Sequence, residues 1–133
     1  MKNFFFEKSR NLASTSRLKT VCFEETYGRH ILKKITRDIS IDNVLDIGCG
    51  EGLDLNIIHN NFPNCNMVGV DFNTTYFDKL REKKINPQFL NIENQKLPYE
   101  NEKFDFIIAN QVFEHTKELF WINHEIFRVL KTG

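Results

Sequence analysis

Val44-Leu-Asp-Ile-Gly-Cys-Gly-Glu-Gly52 decides the fold. Together with Asn43, its first four residues make a short, mostly apolar run of the kind that forms a buried strand. Gly48, Gly50 and Gly52 follow at alternate positions, after which Leu55, Ile58 and Phe62 take up helical spacing until Pro63 stops it. Glycines between a strand and a helix let a ligand come close to the backbone and to the helix N-terminus. On glycines alone, a tight strand-to-helix turn without a ligand remains an equal reading.

The same alternation continues outward. Asn66 to Val70 reads as a second buried strand ending at Asp71, and Asn73 is expected to cap a helix through Lys84 with Tyr76, Phe77 and Leu80 inward. Pro87 is expected to open a third strand over Gln88 to Ile92. A polar loop holding Leu97-Pro98-Tyr99 leads to a fourth strand, Phe104 to Ala109. The last helix is placed at Lys117 to Leu130, with Leu119, Ile122, Ile126 and Val129 on one face and Phe120, Trp121 and Phe127 as packing residues. Upstream, Phe23, Tyr27, Ile31 and Ile35 recur every four residues and predict a helix that contains Gly28. Strands alternating with helices of about ten residues predict an α/β fold, a doubly wound parallel sheet covered on both faces.

Composition narrows the function classes. The 133 residues suit one domain, and no apolar run approaches the roughly 20 residues that span a bilayer, nor does the N-terminus carry a secretory pattern. A cytoplasmic, non-membrane protein is expected. Eighteen basic residues balance eighteen acidic ones without a one-sided basic cluster, which argues against nucleic acid as a partner. Cys22, Cys49 and Cys65 lack metal-ligand spacing and are read as reduced thiols, so no metal site is expected.

Ligands of open α/β sheets bind at the carboxyl ends of the strands. Asp46 lies there, two residues before the first glycine, where a carboxylate would repel a pyrophosphate and favour a ligand bearing an ammonium group. Asp71 ends the second strand 21 residues after Gly50, a spacing at which an acid can accept hydrogen bonds from both hydroxyls of a ribose.

These residues resemble the class I S-adenosylmethionine-dependent methyltransferases, in particular the small-molecule branch called methyltransferase type 11. The resemblance covers about Asp42 to Gly133: Val44 to Gly52 is similar to the first motif, Val68-Gly-Val-Asp-Phe72 to the second, Leu97-Pro-Tyr99 with Phe104 to His115 to the stretch around strand four, and Arg128-Val-Leu-Lys-Thr-Gly133 to the close of the next helix. It implies a Rossmann-like sheet with an N-terminal helix and S-adenosyl-L-methionine as cofactor. Asp46 and the backbone of Gly48, Cys49 and Gly50 would then hold the methionine moiety. Asp71 would hold the ribose, with Phe72 beside the adenine and Asn91 with Ile92, or else Glu93, at the adenine edge. Asn110 and Gln111 would lie near the sulfonium. His115 is the candidate general base, and a metal is disfavoured because Gln111 stands where some relatives carry an acidic ligand.

The related strand order is 3-2-1-4-5-7-6, so the resemblance also implies an incomplete sheet, strands one to four of seven. Residues 1–40 are expected to form an arm and helix, and residues 41–133 a cofactor-binding domain truncated at its C-terminus and inactive alone. The implied acceptor is a small molecule. Gln111 to His115 and Phe120 to His124 resemble methyltransferases of surface-polysaccharide sugars. Two rivals stay open: a nicotinamide-dependent oxidoreductase, although Asp46 with GxGxG departs from GxGxxG, and a non-catalytic truncated binding module.

Overall fold

The computed structural model describes residues 28–133. Phe23, Tyr27 and Cys22 lie outside the described residues, as does the N-terminal arm. The elements in chain order are α1 (Arg29–Ile35), β1 (Asn43–Ile47), α2 (Leu53–Asn61), β2 (Asn66–Asp71), α3 (Phe77–Glu82), β3 (Asn86–Phe89), β4 (Phe106–Ile108), a 3-10 turn (Phe113–His115) and α4 (Leu119–Val129).

Four parallel strands form one sheet in the order β3-β2-β1-β4, the order expected of the first four strands. β1 is interior. Asn43 to Ile47 pair with Asn66 to Val70 on one side, and Val44 to Asp46 with Phe106 to Ile108 on the other. A parallel strand inside the sheet and covered on both faces is buried, which is why Val44, Leu45 and Ile47 are apolar. Val44 contributes to a core beneath α2 and α3 with Leu55, Ile58 and Leu80; Leu45 and Ile47 contribute to the opposite core with Phe104, Leu97 and Val129. Asp46 is the polar exception, 2% exposed.

α4 is fastened to that second core by an ion pair. Glu125 is buried, and Arg128 donates to both of its carboxylate oxygens (2.8 and 2.9 Å). The same guanidinium donates to the carbonyls of Leu97 and Tyr99, while Glu125 accepts the Leu97 N–H at 2.8 Å. Helix and loop 97–99 are thus bound as one piece.

The structure departs from the sequence reading at element ends. Gly28 does not sit inside a helix: at φ +75° it is the cap from which α1 starts, a conformation glycine adopts without strain. Ile31 and Ile35, the two residues of the four-residue period that are described, are about half exposed. Asn73 caps no helix. Its Oδ1 accepts from the Thr75 N–H and hydroxyl, closing a side-chain turn that delays α3 to Phe77. β3 begins two residues early and ends before Asn91, with Pro87 inside it; the strand pairs only with β2, and an edge tolerates a residue without an N–H. β4 is only Phe106–Ile108, and Phe104 instead bridges to Leu130. Leu119 is 43% exposed, and Phe120 and Phe127 face outward at 96% and 76%, because α4 buries the face of Ile122, Glu125 and Val129.

Candidate functional site

The carboxyl ends of β1, β2, β3 and β4 surround one cavity of about 430 Å³. Its walls include Gly48, Asp71, Phe72, Asn91, Ile92, Glu93, Gln111 and His115, which brings together six of the ten residues expected at the cofactor, the candidate base, and both alternatives for the adenine edge. Two loops face each other across it. The Asn91 side chain accepts the Glu93 N–H at 3.1 Å, and Glu93 accepts the Lys117 N–H at 3.2 Å, tying the wall after β3 to the segment after β4. Gln111 adopts φ +58°, a left-handed conformation that costs a non-glycine residue about 1–2 kcal/mol. His115 lies exposed in the 3-10 turn, and its N–H donates to the Val112 carbonyl.

The glycine loop is bound from beneath. The N–H groups of Gly48 and Cys49 donate to the Val70 carbonyl at 2.8 and 3.2 Å, that of Gly52 to the Cys49 carbonyl at 2.7 Å, and that of Gly50 to Asp71 Oδ2 at 2.8 Å. These four donors are therefore taken up within the protein, and no nest of them faces outward for a pyrophosphate. Gly50, at φ +46°, has nothing within 4 Å of where a Cβ would project, so the outer surface of the loop is open to a ligand. Asp71 also accepts the Asn73 N–H on Oδ1 at 2.8 Å. Each carboxylate oxygen retains a second acceptor site, so the hold on the loop and a hold on two hydroxyls are compatible.

Cys49 turns its side chain into the core. Its side chain is buried against Gly69, where an added Cβ would lie 2.6 Å from Sγ, and burial pushes the thiol up to about 12.

Asp46 and Asn110 lie apart from the cavity, in a polar cluster that the sequence did not announce. Asp54, in the first turn of α2, receives Asn110 Nδ2 at 3.3 and 3.4 Å and forms an ion pair with Arg29 at 3.0 Å. Asp46 Oδ2 is buried without a hydrogen-bond partner. Burial holds the Asp46 carboxyl well above the usual carboxylate range; the charge of Asp54 raises it further, and Arg29 partly offsets this. An orphaned buried carboxylate oxygen beside an open glycine loop suits an ammonium group, and Asp71 suits vicinal hydroxyls. Arg29 and Asp54 were missed because 25 residues separate them and neither spacing nor composition links them. Among the described residues no group of three or more His, Cys, Asp or Glu side chains is arranged to hold a metal, and no helix is long and apolar enough to cross a membrane.

Residues 44–133 match a protein family described as a methyltransferase domain. A sterol 24-C-methyltransferase of Schizosaccharomyces pombe is 31% identical over 96 residues, 68% of this chain and 25% of that protein. A demethylmenaquinone methyltransferase of Lactococcus lactis is 30% identical over 102 residues, 72% of this chain and 40% of that protein. The chain thus spans a quarter to two-fifths of the length of these relatives. A protein of solved structure from Pyrococcus horikoshii superposes with a TM-score of 0.65 at 26% identity, covering 77% of this chain and 49% of that one.

Proposed function

This chain belongs to the methyltransferase domain family, and on that premise we propose that it binds S-adenosyl-L-methionine and serves methyl transfer to a small-molecule acceptor. The observation that carries the reading is the loop after β1: its N–H groups are taken up internally, and a buried carboxylate with an unpartnered oxygen stands beside it. A dinucleotide's pyrophosphate needs the reverse, donors outward and no adjacent anion, which disfavours the oxidoreductase alternative.

When bound, the cofactor supplies a methyl group already activated on a sulfonium. The chain's own residues position it. Asp46 balances the ammonium group, Asp71 accepts from the ribose hydroxyls, and Phe72, Asn91 and Ile92 border the adenine, with Glu93 the alternative to Asn91. Gly48, Cys49 and Gly50 offer backbone, and Asn110 and Gln111 mark the end of β4 where the acceptor approaches. Holding the reactants in line and excluding water provides much of the rate, so a base is required only for an acceptor that must lose a proton. His115, on the same cavity wall as Gln111, is assigned that role. The acceptor is taken to be a surface-polysaccharide sugar or its precursor, on the resemblance of Gln111 to His115 and Phe120 to His124.

Calorimetry with S-adenosylhomocysteine tests the reading. Micromolar binding is expected, weakened by about 1.5–3 kcal/mol in Asp71→Ala, as for loss of hydrogen bonds to a charged group. Because Asp71 also holds the Gly50 N–H, Asp71→Asn serves as a control that keeps an acceptor oxygen there. Tighter binding of NADH than of S-adenosylhomocysteine would reverse the assignment.

A further inference from the structure

Resting on that cofactor reading, we propose that Glu93 is a positioning residue that couples the two walls of the cavity, so that filling the adenine end orders the turn that carries His115. The loop after β3 is closed on itself. Gln95 Oε1 accepts the Asn91 N–H at 2.6 Å, the Asn91 carbonyl accepts the N–H groups of Asn94 and Gln95 at 3.3 and 3.0 Å, and Asn91 Oδ1 accepts the Glu93 N–H at 3.1 Å. Glu93 is thereby presented from a braced turn, and its carboxylate accepts the Lys117 N–H at 3.2 Å, from a residue 24 positions along the chain.

The wall that Glu93 reaches has mostly short-range bonds of its own. Val112 packs against Gly48, and beyond it the N–H groups of His115 and Thr116 donate to carbonyls three residues back, at 3.0 and 3.2 Å. α4 then starts without a side-chain cap and with no acidic residue in its first turn. Bound two residues before Leu119, Glu93 brings a carboxylate to a helix end that favours negative charge. Asn91, Ile92 and Glu93 line one side of the cavity, and Gln111, His115 and Thr116 the other. A ligand that steadies the first side therefore steadies the second through one strut. A carboxylate committed to Lys117 leaves the adenine contact to Asn91, whose Oδ1 retains a second acceptor site.

Amide hydrogen exchange and calorimetry test this with S-adenosylhomocysteine and S-inosylhomocysteine, in which an oxo group replaces the purine amino group. In wild type, S-adenosylhomocysteine is expected to slow exchange over residues 113–118 by about tenfold, the scale of one charge-assisted hydrogen bond. Glu93→Ala should lose that slowing yet keep the wild-type preference for the adenine ligand, with both ligands weakened alike and by no more than the lost coupling. Glu93→Gln retains an acceptor oxygen and should restore most of the slowing, while exchange in β1 and α2 stays the same in all three proteins. Slowing that persists in Glu93→Ala would show that the strut carries no coupling. Loss of the adenine preference would make Glu93 the adenine contact, and faster exchange throughout the chain would confine it to stability; each of these results overturns the proposal while leaving the cofactor reading intact. Failure of wild type to bind S-adenosylhomocysteine would overturn the cofactor reading itself.

Discussion

Asp46→Asn should make the protein more stable and less able to bind its cofactor. Asp46 is 2% exposed, one carboxylate oxygen has no hydrogen-bond partner, and burial together with the Asp54 charge opposes its ionisation. Asparagine keeps the shape and removes the charge. A buried group left unsatisfied costs about 1–3 kcal/mol, so relief of that order is expected near neutral pH. With an unfolding entropy of about 2.1 cal/mol/K per residue over 133 residues, each kcal/mol shifts Tm by about 4 °C. The pH dependence has a fixed sign. Below the unfolded-state pKa of about 3.9 the carboxyl is neutral in both states and costs nothing, and the penalty grows as pH rises from there toward the raised folded-state pKa. The Tm gap between variant and wild type should therefore be small near pH 4 and widest above the folded-state pKa, while affinity for S-adenosylhomocysteine falls about tenfold or more, as for loss of a charge-assisted hydrogen bond. Scanning calorimetry across pH, with ligand titrations, reads both. A variant less stable than wild type at pH 8 would mean that Asp46 is well paired in the native state, and a stabilised variant with undiminished affinity would remove it from the ammonium role.

Three further expectations concern other parts of the molecule. Arg128→Met strands the buried Glu125 carboxylate and releases the Leu97 and Tyr99 carbonyls, so urea unfolding should show a loss of about 3–5 kcal/mol; a loss below 1 kcal/mol would show that the pair is dispensable. Gln111→Gly should relieve the left-handed backbone at φ +58° and raise stability by about 1 kcal/mol, and a lowered Tm would show that the Gln111 side chain stabilises more than its conformation costs. His115→Gln should lower methyl transfer with the true acceptor while leaving S-adenosylhomocysteine affinity near wild type, and unchanged turnover would confine His115 to its turn.

What the sequence disclosed followed the range of the interactions involved. β1, the glycine loop and α2 were legible because strand, turn and helix signals are all local and lie within one stretch. The place of Asp71 at the end of β2 was legible, whereas its acceptance of the Gly50 N–H was not something that spacing could convey. Pro87 misled the reading of β3, since whether a proline opens a strand or sits within one depends on which edge faces a partner. Gly28 misled the reading of α1, because a glycine that starts a helix and one that interrupts it look alike inside a four-residue period. Leu119 was assigned inward by periodicity, but the buried Glu125 and its arginine set the rotation of α4. The Arg29–Asp54 pair left no local trace, being a contact between two helices on either side of β1 in the chain.

The fit of Cys49 against Gly69 binds the histories of two positions together. An alanine at 69 would set its methyl carbon 2.6 Å from the cysteine sulfur and 2.9 Å from its Cβ, closer than non-bonded atoms approach. Drift at either site is therefore conditional on the other: position 69 can grow only after position 49 has shrunk to glycine, and in that order alone does a lineage avoid a distorted intermediate. Among descendants of such a chain the two positions should covary as a single shared volume, one residue lending space to the other across the strand that ends in Asp71.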